Sequence, residues 1–128
     1  MYNLLMTSFY LLVLAYLVVS FILGAVWHVV LFKEYYRKLA IYSNIEKPRF
    51  AFGFLAMLLQ GFVLAYVYPL IGNQLLFGGG LFLLLLSFMV FAEAGKQNAT
   101  SLSGFVFIQT AFCAVQAILV VLAFGLIV

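Results

Sequence analysis

Charged positions fall in two short segments of the chain and leave four long runs without any. Leu4 to Phe32, Ala51 to Gly72, Leu75 to Ala92 and Ser103 to Val128 contain no Asp, Glu, Lys or Arg. A helix needs about 20 apolar residues to cross a hydrocarbon core, so the pattern predicts four transmembrane helices that take up nearly the whole chain. The fold class expected is an all-α integral membrane protein, one four-helix domain over residues 1–128. The first run covers 29 residues, about 43 Å of helix at ~1.5 Å per residue. That exceeds a ~30 Å core, so this helix should tilt or protrude. Its amino end, MYNLLMTSFY, has no basic residue and no small-residue cleavage pattern follows it; it is expected to be retained rather than removed as a signal peptide.

Composition makes the same demand from another direction. Hydrophobic residues are 69% of the chain and charged ones 7%, against roughly half and a quarter in soluble domains. A small soluble domain buries only about two-thirds of its unfolded surface, so a chain this apolar has lipid as its solvent. The net charge of +3, with six Lys and Arg against three Glu, then carries topology information, and nucleic acid is not an expected partner.

Lys33, Arg37, Lys38, Lys47 and Arg49 lie between the first and second runs and Lys96 between the third and fourth, while the Asn73-Gln74 turn carries no charge. All six basic residues therefore share one side, which the positive-inside bias makes the cytoplasm, with both termini outside. The first loop, KEYYRKLAIYSNIEKPRF, reads as an amphipathic turn: Lys33, Glu34, Arg37 and Lys38 on one side, Tyr35, Tyr36, Leu39 and Tyr42 on the other. It is expected to lie on the inner surface, with its basic residues drawing anionic headgroups at about 1 kcal/mol each. Trp27, Lys33, Tyr35, Tyr36, Arg37 and Lys38 are the expected interface residues.

Within the runs, the side chains that lipid penalises are His28, Gln60, Glu93, Gln109 and Gln116. With alternating helix directions they fall in the cytoplasmic half, His28 and Glu93 at one depth. They should face the bundle interior and pair. Gln109, Cys113 and Gln116 are spaced by four and three and share one helical face. Two readings stand for this set: interhelical hydrogen bonds that specify packing, or a proton, ion or ligand site with His28 and Glu93 as its titratable pair. Small residues mark expected close helix approaches at Gly53, Gly61, Gly78 to Gly80, Ala111 and Ala114; the triple glycine is alternatively an unwound segment beside a cavity.

Candidate chemistry is sparse. With no Asp, one His and one Cys, a Ser-His-Asp arrangement, a thiol pair or a metal site cannot be assembled within one chain. Neither catalysis nor a cofactor is expected. Cys113 reads as a small packing residue, and the Asn98-Ala99-Thr100 sequon falls on the expected cytoplasmic side.

The pattern Trp27-His28, Leu31-Phe32, then Tyr35 or Tyr36 on a basic loop resembles the first-helix signature of uncharacterised small four-helix bacterial inner-membrane proteins, over residues 24–70. The resemblance implies fold and location and carries no activity. Two function classes remain. One is a non-catalytic subunit packing in or stabilising a larger membrane complex, with other subunits as partners. The other is a small homo-oligomeric transporter or channel with a polar site in the inner half of the bundle, although the first helix lacks the mid-span Glu of multidrug carriers of this size.

Overall fold

The computed structural model describes residues 2–39, 50–95 and 101–128. Tyr42, Lys47, Pro48, Arg49, Lys96 and the Asn98 sequon lie outside the described residues. Among the described residues there are six α-helices: α1 (Tyr2–Ala25), α2 (Lys33–Leu39), α3 (Phe50–Ile71), α4 (Gln74–Leu86), α5 (Ala92–Ala94) and α6 (Leu102–Ile127). Two π-helical segments interrupt them. Val26–Leu31 prolongs α1 and Ser87–Phe91 joins α4 to α5. Four helical stretches, Met6–Leu31, Ala51–Ile71, Gln74–Ala94 and Leu102–Ile127, are long and apolar enough to cross a membrane. The chain is an integral membrane protein, helical and without strands among the described residues.

Helix ends are set by local chemistry. Gly72 at φ +66° ends α3 in a left-handed conformation that glycine adopts without a Cβ clash. The Asn73 side chain then accepts from the Leu76 amide at 3.0 Å and starts α4, as Ser101 does for α6 through the Gly104 amide at 3.1 Å. Inside each span the backbone bonds are made within the helix, the condition for a segment to sit in hydrocarbon.

The spans stand in the order α3, α1, α6, α4. α1 packs against both α3 and α6, and α6 against both α1 and α4. α3 and α4 occupy the flanks. They meet near their turn, where the Tyr68 and Phe77 rings lie 4.9 Å apart at a T-shaped angle. Further from the turn a groove of about 360 Å³ separates them, walled by Leu59, Val63, Leu84 and Phe88. In lipid, helices gain little from burying apolar groups, so close fit and interhelical hydrogen bonds hold such an arrangement. Two glycines allow that fit. A Cβ on Gly61 would stand 3.3 Å from the Val13 carbonyl oxygen of α1, and one on Gly78 would stand 2.9 Å from a Val121 methyl of α6. Gly78 to Gly80 belong to the continuous helix α4, which corrects the reading of the triple glycine as an unwound segment.

α2 corrects a second expectation. Glu34, Arg37 and Lys38 are exposed and Lys33 half-buried, and Glu34 pairs with Arg37 at 2.5 Å. Tyr36 and Leu39 of the opposite face do not rest at the surface: they are buried with Phe105 and Ile108 of α6. Gly104 makes the approach feasible, since a Cβ there would meet the Tyr35 hydroxyl at 3.1 Å and Leu39 at 3.2 Å.

Candidate functional site

The π-helical segment Val26–Leu31 carries Trp27 and His28. A π turn places more than the usual number of residues in one turn and so rotates the side chains that follow it. Trp27 is half-buried, packed on Phe32 and on Phe112 of α6 with ring centroids 4.6 and 5.7 Å apart. His28 sits between Tyr36 and Phe112, both 4.8 Å away ring to ring. Its Nδ1 lies 2.9 Å from the Gly24 carbonyl oxygen. A carbonyl only accepts, so this nitrogen carries the proton.

A directed chain of hydrogen bonds passes through these residues. Trp27 Nε1 donates to the Tyr36 hydroxyl at 3.1 Å. That hydroxyl donates to Gln109 Oε1 in a short bond. Gln109 is also hydrogen-bonded to the His28 imidazole, and His28 Nδ1–H donates to the Gly24 carbonyl. Gln109 is fully buried. Three elements, the π-helical segment, α2 and α6, are thus joined by one hydrogen-bonded network.

A second polar group lies deeper. Tyr16 of α1 donates to Gln60 Oε1 of α3 at 2.5 Å. Gln116 Nε2 of α6 donates to Ser20 Oγ at 2.9 Å and to the Tyr16 hydroxyl at 3.4 Å. Gln116 is 2% exposed, and its Oε1 is the one buried side-chain nitrogen or oxygen of the described residues with no hydrogen-bond partner.

Between the two groups is a cavity of about 360 Å³ onto which His28, Gln60 and Gln116 all open. Its remaining walls include Gly24, Gly53, Met57, Met89 and Phe112. Val29 and Met89 come from the two π-helical segments, so both irregular turns border one space.

Of the five polar residues singled out by sequence, the structure brings His28, Gln60 and Gln116 to one cavity and sets Gln109 behind His28. Glu93, in α5, is partly exposed and does not line it. Of the expected interface residues, Arg37 and Lys38 are exposed and Lys33 half-buried, and the exposed Tyr35 donates to the Gly104 carbonyl at 3.4 Å. Tyr36 is not an interface residue. It is fully buried and is the central link of the hydrogen-bond chain, and Trp27 is its donor. Tyr16 and Ser20 were missed by sequence reasoning. Their spacing of four on α1 puts them on one helical face, which is the signal that would have found them. Comparison with known proteins finds no matching family model, no matching curated sequence and no matching solved structure.

Proposed function

We propose that the chain is a non-catalytic integral membrane subunit that packs into, and stabilises, a larger membrane assembly. Gln60 carries the reading. It lies in the middle of the span Ala51–Ile71 and is exposed in the isolated chain, beside the groove between α3 and α4. Its Oε1 is taken by Tyr16, which leaves the two N–H donors of the amide for another acceptor. Donors turned to hydrocarbon cost several kcal/mol. A helix of another subunit laid into the groove supplies an acceptor and covers Leu59, Val63, Leu84 and Phe88 in one step. The low internal burial of the spans, 22% of the most apolar window in the first three and 33% in the fourth, leaves surface for such contacts.

The orientation in this reading has both termini outside a bacterial inner membrane and α2 at the cytoplasmic surface, its exposed Arg37 and Lys38 against anionic headgroups. With Cys113 replaced, a cysteine at Lys38 is shielded from an impermeant thiol reagent in intact cells and one at Asn73 is labelled; the reverse pattern refutes the orientation.

Gentle extraction followed by native mass spectrometry tests the assembly. The expected mass is well above the 14.3 kDa chain, with other polypeptides present. A pure homo-oligomer that moves a solute across liposomes overturns the subunit reading in favour of a second one, a small transporter or channel. The polar cavity at His28, Gln60 and Gln116 is the observation that favours the second.

A further inference from the structure

We propose that the helix laid into the groove between α3 and α4 is α3 of a second copy of this chain, the two Gln60 amides bonding each other across a twofold axis. The inference rests on the part of the subunit reading in which a helix covers the Gln60 face, and it names that helix. It does not require the chain to move a solute.

Spacing and side-chain size on α3 make a seam for a second helix. Gly53, Ala56, Gln60, Val63 and Val67 are separated by three, four, three and four residues, the repeat along which two helices pack in a left-handed crossing. Ala56, Gln60 and Val63 are exposed, Gly53 and Val67 half-buried. The first four line open space beside α3: Gly53, Ala56 and Gln60 the part near His28, Gln60 and Val63 the part near Leu84. A Cβ on Gly53 would meet nothing within 4 Å. No other element of the chain uses the room this glycine leaves, and a further backbone fits there.

Gln60 selects the partner. It is the exposed polar side chain of the groove, since Tyr16 is 1% exposed and the remaining walls are apolar. Tyr16 takes one of the two lone pairs of Oε1, so the amide still offers an acceptor site and two N–H donors. Another amide answers both. Lipid ester carbonyls do not reach it, because Gln60 stands mid-way along the span Ala51–Ile71, about 15 Å of helix from either end. A second copy also brings its amide to the right depth. Copies inserted in one orientation are related by an axis along the membrane normal, so both Gln60 side chains stand at one level and each N–H meets the oxygen of the other. One polar position in an otherwise apolar seam then fixes the register of the pair.

Disulfide trapping in native membranes tests the interface. In chains with Cys113 replaced, single cysteines are placed at Ala56, at Val63 and, as a control, at Ile118, which is exposed on α6 outside the groove. Two differently tagged copies are co-expressed and oxidised. Ala56→Cys and Val63→Cys should each give a cross-linked pair carrying both tags, and Ile118→Cys should not. Adding Gly53→Leu to Val63→Cys should remove the cross-link, because the new side chain clashes with nothing in its own chain and stands where the second backbone would pass. For the purified, fluorescently labelled chain diluted in phosphatidylcholine vesicles, Gln60→Leu should weaken pairing, read by energy transfer, about tenfold, a factor equal to ~1.4 kcal/mol. Absence of a doubly tagged cross-link at both positions overturns the proposal. So does a cross-link that persists in a folded Gly53→Leu chain, or pairing that Gln60→Leu leaves unchanged. A cross-link from Val63 to a different polypeptide in place of the second copy overturns the dimer and leaves the subunit reading standing, whereas a gentle extract without other polypeptides refutes the subunit reading and leaves the dimer standing. If Gln60→Leu does not fold, the three cysteine positions and Gly53→Leu decide the matter.

Discussion

The two ends of the bundle are held together by different means. At the Gly72–Asn73 turn the contacts are between rings: Tyr68, Phe77 and Phe124 meet pairwise at 4.9, 5.2 and 5.7 Å, joined to the polar turn by one hydrogen bond from Gln74 to the Tyr68 hydroxyl at 3.2 Å. At the α2 end the helical path includes two π-helical segments, and Trp27, Tyr36 and Gln109 form a directed hydrogen-bond chain to which His28 is joined. Ring contacts tolerate small rotations and give tight fit. A directed chain fixes each partner's identity and its donor or acceptor role, and it is useful where backbone geometry is irregular. In lipid, where apolar burial by itself does not bring helices together, the first kind of contact supplies cohesion and the second supplies register.

The largest effect expected is at the turn end. Phe124 is fully buried and touches both Tyr68 and Phe77, so Phe124→Ala removes two ring contacts and leaves a cavity. Phe→Ala in protein cores costs about 3–5 kcal/mol; the lower end, about 3 kcal/mol, applies here because the unfolded chain in lipid does not expose the ring to water. Unfolding in mixed micelles measures it. A loss below about 1 kcal/mol would mean that the turn end contributes little cohesion and would remove the contrast between the two ends.

At the other end, Gln109→Leu has a smaller expected effect, about 2 kcal/mol. The substitution preserves volume and apolar contact but withdraws the acceptor of Tyr36 and a hydrogen-bond partner of His28 in one change. Both ends can be compared in the same assay, and a double substitution with Phe124→Ala should be additive, because the two sites share no partner.

Much of this arrangement was legible in the sequence because lipid imposes simple rules. Four charge-free runs became four spans, and the four-three spacing of Gln109, Cys113 and Gln116 put all three on a buried face. Periodicity set Glu34, Arg37 and Lys38 of α2, which are exposed, opposite Tyr36 and Leu39, which are buried, while Tyr35 of the same side is exposed. It did not say what would cover the apolar side. Tyr36 and Leu39 were assigned to the membrane surface, whereas α6 covers them, because Gly104 leaves room that a face-by-face reading of one segment cannot register. Nor does any residue in VWHVVL or SFMVF announce a π turn; such turns arise from the fit between helices, which is a property of three dimensions. Depth was likewise only one coordinate. His28 and Glu93 were matched by depth, while the cavity collects Gln60 and Gln116 with His28 and leaves Glu93 outside it.

The smallest predicted effect concerns the direction of the chain itself. Trp27 Nε1 donates to Tyr36, and Tyr36 donates onward. Trp27→Phe removes the first donor and leaves only a hydroxyl oxygen short of one incoming bond, an oxygen whose own proton is still placed on Gln109. The expected loss is about 0.6 kcal/mol, the usual worth of one interhelical hydrogen bond in a membrane, apart from the packing of the smaller ring. Tyr36→Phe removes the middle link, so the indole N–H loses its acceptor and Gln109 Oε1 loses its donor, both in a region where Tyr36 and Gln109 are fully buried; about 1–3 kcal/mol is expected. Adding Trp27→Phe to Tyr36→Phe should then restore part of the loss, because the stranded donor is gone. Were Trp27→Phe the costlier of the two singles, or the pair additive, the indole would not be the head of the chain, and the register at this end would rest on Trp27 packing against Phe32 and Phe112 instead.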